Sequence, residues 1–234
     1  CEETGLAVLV DPVMPAWQRD LAAVRSRGLT LAYTVDTHIH ADHITSALQL
    51  RREAGSRIAN AAADGLPCTD VGLAEGIPLQ AGGIRLEPLH TPGHTDGHFA
   101  YRSDERLFSG DALLIDGCGR TDFQNGDAAT LYRSVTEKLF ALADEVLVYP
   151  AHDYQNRCVS SIGQEKRGRQ PAPGHGRTPW KSSRPSDAPK PPGGDRPLSL
   201  HNGCPTCRCQ EQSRPVSRLS RNEARRRLRR QSGQ

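Results

Sequence analysis

Three imidazoles and a carboxylate fall within six residues at His38-Ile39-His40-Ala41-Asp42-His43. In an extended chain side chains alternate with period two, so His38 and His40 project to one side. Asp42 and His43 follow as the chain turns. Imidazole nitrogen and carboxylate oxygen suit zinc, iron, manganese or nickel. A solvated polar loop with incidental histidines is the competing explanation. Three distant residues weigh against it: His94 in Thr91-Pro92-Gly93-His94-Thr95, Asp111 in Ser109-Gly110-Asp111, and His152 in Tyr149-Pro150-Ala151-His152. Each is innocent alone, since a lone histidine is more often structural and Gly-Asp is a common turn. Together the four pieces predict a metal centre.

The elements that must position these residues are legible in outline. Residues 6–10 form an apolar run stopped by Asp11-Pro12. Trp17, Leu21 and Val24 recur at helical spacing, and Gly28 ends that helix. Residues 31–35 read as a buried strand running into Asp36-Thr37-His38, and residues 43–53 as a helix with Asp42 near its N-terminus. Ile84, Leu86 and Leu89 mark a strand broken by Thr91-Pro92-Gly93. Residues 99–101 and 106–108 read as two strands around a polar turn. Leu131, Val135, Leu139 and Leu142 share a helical face, and residues 146–149 form a strand ending at Pro150-Ala151-His152. His38, His94, Asp111 and His152 each closely follow a predicted strand. Strand ends converge on one rim only if the strands run the same way.

Charge divides the chain. Residues 1–167 hold 15 Lys+Arg against 23 Asp+Glu, a net of −8, and residues 168–234 hold 15 against 4, a net of +11. The whole-chain +3 is thus an average over an acidic domain and a basic tail, and no specific nucleic-acid partner is expected. Ten of the 17 prolines lie in residues 168–234, where apolar residues are few and show no period. This predicts a Pro/Arg-rich disordered tail. Cys204, Cys207 and Cys209 lack a second ligand pair and are not read as a zinc site. No apolar run is long enough for a transmembrane helix, and no signal peptide is visible. The scattered Cys1, Cys68, Cys118 and Cys158 fit a reduced, cytoplasmic compartment.

The series HIHADH, TPGHT, SGD and YPAH, over residues 34–154, resembles the ligand series of the metallo-β-lactamase superfamily. The resemblance implies an α/β fold of αββα type, with two mixed sheets face to face, helices outside and metal at one edge. The ligand series does not select an activity. Its neighbours do: GDALLIDGCGRTDFQNGD and then LVYPAHDY resemble the persulfide dioxygenases (sulfur dioxygenases). That family normally has strand before the segment matching residues 6–12, and an ordered C-terminal stretch after Arg167. The comparison therefore implies an N-terminally truncated domain over residues 1–167. The tail would be a shifted reading frame or a genuine extension.

For the site, the persulfide dioxygenase resemblance implies one Fe(II) per chain, held by His38, His94 and Asp111, with glutathione persulfide and O2 as substrates and sulfite and glutathione as products. Such a triad leaves coordination positions open, and iron(II) can pass an electron to O2 where d¹⁰ zinc cannot. His40, Asp42, His43 and His152 would be a polar outer layer that orients the ligands. The alternative makes them ligands of a second metal, giving a glyoxalase II-like hydrolase with one or two Zn(II); an inactive metal-binding remnant is a further alternative. Tyr154 matches the family tyrosine that contacts glutathione, with a core tyrosine as the plain alternative. Arg120 would bind a glutathione carboxylate or lock its own loop through an ion pair with Asp122. Cys118 reads as a buried, inert thiol.

Overall fold

The computed structural model describes residues 1–168 apart from Gln155. The basic tail from residue 169 onward, and with it the cysteines at 204, 207 and 209, lies outside the described residues.

Two sheets form the centre. The first has the order β1 (Leu6–Val10), β2 (Thr30–Val35), β3 (Arg57–Ala61), β4 (Val71–Leu73). Its strands are all parallel among the described residues. The expectation of two mixed sheets is corrected here. Helices α1 (Trp17–Ser26) and α2 (Ala47–Ala54) carry the chain back across the sheet between β1 and β2 and between β2 and β3, and residues 62–70 return it between β3 and β4. The second sheet has the order β10 (Ser160–Ser161), β9 (Leu147–Pro150), β8 (Arg106–Gly110), β7 (Phe99–Ser103), β6 (Ile84–His90), β5 (Leu79–Ala81). It is antiparallel except where β8 and β9 run parallel.

Alternation along the strands sorts side chains into three cores. In β7, Phe99 and Tyr101 join Val35, Ala59, Ala61 and Leu73 of the first sheet in a core between the sheets. Ala100, between them in sequence, faces the other way and packs with Leu131, Val135, Leu139 and Ile162. These belong to α3 (Ala128–Arg133), its wider π-helical continuation Ser134–Leu139, and α4 (Ile162–Gly168). On the opposite side Leu21, Val24 and Leu50 of α1 and α2 cover Leu31. Helices thus lie outside both sheets, as the αββα reading requires. In β2, Leu31 and Val35 share parity yet face different cores. The pairing explains it: Ala7 faces Leu31 and Val8 faces Tyr33, so Ala32 is an extra residue that reverses the alternation.

One predicted element starts late. Helix α2 begins at Ala47 instead of 43. Met14 N–H donates to the Ile44 carbonyl at 2.8 Å and Ser46 N–H to the Pro12 carbonyl at 2.7 Å, so tertiary partners hold residues 44–46 out of the helix.

Candidate metal centre

Strands β6, β8 and β9 run the same way, because β6 and β8 each oppose β7 and β9 is parallel to β8. Their C-terminal ends therefore open on one rim. His94 comes four residues after β6, Asp111 one after β8 and His152 two after β9. The segment after β2 delivers His38, His40, Asp42 and His43 to the same rim. All seven predicted ligand residues are brought together.

One ligand atom each from His38, His94 and Asp111 lie within 4.8 Å of one another, and the same holds for His40, Asp42 and His43. His94 Nε2 is 3.3 Å from Asp111 Oδ2. His152 Nε2 stands between two carboxylates, 3.4 Å from Asp42 Oδ2 and 3.6 Å from Asp111 Oδ1. His43 Nδ1 is 3.2 Å from Asp42 Oδ2. His38, His40, His94 and Asp111 are buried, whereas His152 and Asp42 are progressively more open.

The rings are held from behind. His94 Nδ1 lies 2.7 Å from the Arg120 carbonyl, which only accepts, so Nδ1 carries the proton and Nε2 faces the cluster with its lone pair. Thr37 Oγ1 donates to Asp11 Oδ2 at 2.9 Å and contacts His38 Nδ1 at 2.9 Å. With its proton used on Asp11, the hydroxyl accepts from His38 Nδ1–H, and His38 also offers Nε2. Asp11 reaches further: its Oδ1 accepts from the Thr37 amide at 2.6 Å and meets His40 Nε2 at 3.1 Å. In the sequence Asp11 stands only as the residue that stops a strand. Its left-handed backbone (φ 48°), unusual outside glycine, was not visible there.

The electrostatics follow from crowding. Burial, with the neighbouring His40, His98 and His94, pushes the His38 imidazole well below its ordinary range, so it stays a neutral donor. Burial also opposes charge on His40, but the hydrogen bond and charge of Asp11, helped by Asp36 and Asp42, outweigh it and lift the ring to about 9. Burial and the adjacent Asp11 raise Asp36 to about 7. Hydrogen bonding to His43 holds Asp42 low. Burial raises Asp111 against the pull of His152 and His94. Asp111 Oδ1 and His43 Nε2 are buried without a hydrogen-bond partner. Orphaned buried polar atoms on residues of a nitrogen and oxygen cluster fit a cation.

The loop over residues 117–126 closes against this cluster. Gly119 N–H donates to the Asp111 carbonyl at 2.7 Å. A Cβ at Gly119 would come within 2.5 Å of that carbonyl and 2.8 Å of His94 Nδ1, so the close approach needs glycine. Gln124 Nε2 donates to the Ile39 carbonyl at 3.0 Å, tying the loop to the histidine segment. The Arg120 guanidinium pairs with both Asp122 oxygens, at 2.7 and 3.0 Å, and lies 5.7 Å over the Phe123 ring. Tyr154 is not a core tyrosine: it is 64% exposed and stacks on His152 at 5.8 Å. Cys118 is fully buried.

This sandwich, with its rim of histidines and carboxylates, defines the class. Residues 2–152 match the metallo-beta-lactamase superfamily, and the chain belongs to that superfamily. It is 45% identical, over 172 residues, to the mitochondrial persulfide dioxygenase ETHE1 of Bos taurus, covering 70% of this chain and 65% of the relative. The chain thus spans just under two thirds of that relative's length. The hydroxyacylglutathione hydrolase GloC of Haemophilus influenzae is 34% identical over 184 residues, covering 69% of this chain and 84% of that protein. The crystal structure of ETHE1 from Myxococcus xanthus superposes with a TM-score of 0.70 at 47% identity, covering 72% of this chain and 74% of that one. Among the described residues no helix is long and apolar enough to cross a membrane.

Proposed function

We propose that this chain is an iron-dependent dioxygenase that oxidises glutathione persulfide with O2 to sulfite and glutathione. The observation that carries the reading is the loop over residues 117–124. It is the most specific point of likeness to persulfide dioxygenases, and it supports the site directly through the Arg120 carbonyl on His94 and the Gly119 amide on Asp111. The overall change, GSSH + O2 + H2O to GSH + sulfite + 2 H⁺, moves four electrons from the terminal sulfur to oxygen.

His38, His94 and Asp111 would hold the iron, two neutral nitrogens and one carboxylate oxygen. Bound there, iron(II) supplies the electron that O2 needs and that zinc cannot give. The remaining work falls to the chain. Thr37 and the Arg120 carbonyl keep the two rings turned inward. Asp11 holds His40 through Nε2, leaving its other nitrogen toward the cluster. The Tyr154 phenol, raised by the part of the ring that is covered and by the charges of Asp111 and Asp42, stays protonated and donates to substrate at the mouth. His152, between Asp42 and Asp111, orients both carboxylates. The Arg120 side chain locks its loop through Asp122, and the glutathione carboxylate role proposed for it requires that pair to open.

A second reading is a zinc hydrolase acting on a glutathione thioester. It is favoured by Asp42, His43 and His152 standing beside Asp111, and by the likeness to the GloC hydrolase. Metal analysis of anaerobically purified protein, with O2 uptake on glutathione persulfide, separates the two. One iron and persulfide-dependent uptake is expected; two zincs with thioester hydrolysis would sustain the second reading. The scattered positions of Cys1, Cys68, Cys118 and Cys158 in the sequence support a reducing compartment of cytoplasmic type. The Bos taurus relative carries a mitochondrial designation.

A further inference from the structure

We infer that His98 is a positioning residue for Asp111: as a neutral imidazole protonated on Nδ1, it fixes the amide from which the Asp111 carboxylate is presented. The inference rests on the reading of His38, His94 and Asp111 as a metal centre.

His98 stands just before β7 and is fully buried. Its Nε2 is 3.1 Å from the Asp111 amide nitrogen. A backbone N–H only donates, so Nε2 must hold the lone pair and the ring proton must sit on Nδ1. Nδ1 is 2.8 Å from Thr91 Oγ1, which accepts it. The ring therefore bridges the start of the turn that carries His94 to the backbone of Asp111. Its face stacks on His38 at 5.1 Å and 25°. One side chain thus touches the His38 ring, the turn that leads to His94 and the amide of Asp111.

Gly110 makes room for this ring. Its φ is 53°, and a Cβ there would lie 2.6 Å from His98 Nε2 and 2.8 Å from Thr37 Oγ1. The left-handed residue brings the Asp111 amide onto the ring while sparing both supports. An apolar side chain at 98 would fill the volume but leave the Asp111 N–H without its acceptor. The carboxylate would then lose its fixed origin, although no atom that touches a metal would have changed.

The test combines metal binding with a direct measurement of the ring. The probes are Co(II), added anaerobically to the full chain against a competing chelator, and long-range proton–nitrogen NMR of the metal-free chain. His98 is expected to show a single ring proton, on Nδ1, at neutral pH. His98→Leu should weaken Co(II) binding about 10- to 100-fold and alter its visible absorption. His98→Gln, whose amide oxygen can accept from Asp111 N–H, should recover most of the affinity. Should His98→Leu fail to fold by circular dichroism, Thr91→Val, which removes the Nδ1 acceptor, is expected to weaken Co(II) in the same direction. A proton found on Nε2, a His98→Leu or Thr91→Val affinity within twofold of the parent, or equal losses in the Leu and Gln variants would overturn the inference. Failure of the parent chain to bind Co(II) would instead sink the metal-centre reading, while the NMR result would still decide where the His98 proton lies.

Discussion

Asp111 stands between two of the candidate ligand histidines, since His94 approaches one oxygen and His152 the other. If the chain is the iron-dependent dioxygenase proposed above, Asp111→Ala should remove its iron altogether, and with it persulfide-dependent O2 uptake; metal analysis of the purified variant checks this. His152 is more open and is proposed to orient carboxylates rather than to bind iron. His152→Ala is expected to keep most of the iron while lowering turnover about 10–100-fold, as losses around a metal's ligands do. Complete loss of iron would make His152 a direct ligand and favour the dinuclear reading.

At the scale of elements, the rim depends on how its flanking helices are anchored. Leu131, Val135 and Leu139 are fully buried against the second sheet. Each contributes about 1.5–3 kcal/mol by burial, more than the roughly 1 kcal/mol of the Ser134 Oγ bond to the Pro92 carbonyl at 2.7 Å. Packing, with that bond adding direction, holds the His94 turn. Asp127 caps α3 by accepting from Thr130 N–H at 2.7 Å, which lowers its carboxyl. A depressed carboxylate stabilises the fold above its ordinary range, and that contribution is lost as pH falls through the folded value. Asp127→Ala should lower the melting temperature at pH 7, and the gap should close in acid; a gap independent of pH would assign the loss to something other than the charged cap. At the other end, buried Glu165 accepts from Asp116 N–H at 2.9 Å and Ser160 Oγ at 2.6 Å, tying α4 to the loop after Asp111. Glu165→Ala should cost about 1–3 kcal/mol for each donor left unpaired. Breaking the more exposed Lys166–Asp144 pair with Lys166→Ala should cost under about 1 kcal/mol. Urea unfolding midpoints rank the two, and the reverse order would show that α4 is held mainly from its surface.

For the whole molecule, the charge split yields its own prediction. The net +11 and ten prolines of residues 168–234 lead us to propose that this segment is dispensable for the metal centre. Brief trypsin treatment of metal-loaded protein should leave a fragment ending near Arg167 that keeps its metal, read by mass spectrometry and metal analysis. Loss of iron on deleting residues 169–234 alone would make the tail part of the working fold.

The sequence by itself determined which side chains are candidates to meet, and the strand directions of the tertiary structure decided that they do. Strand patterns ending at residues 35, 89, 108 and 149 put His38, His94, Asp111 and His152 shortly after strand ends, and a period-two segment puts His38 and His40 on one side. These are local properties, set by alternation and by turn residues such as Thr91-Pro92-Gly93. The short strand Arg57–Ala61, with small residues and no clear alternation, left no such signal. Nor did the late start of α2 or the extra residue at Ala32, because each is decided by a partner strand or loop distant in sequence. The same holds for the supports of the site. Asp11 reaches Thr37 across 26 positions, the Arg120 carbonyl reaches His94 across 26, and His98 reaches the Asp111 amide across 13. A ligand is recognisable by its chemistry, whereas a support is recognisable only by what it touches. Only the tertiary structure brings those partners together.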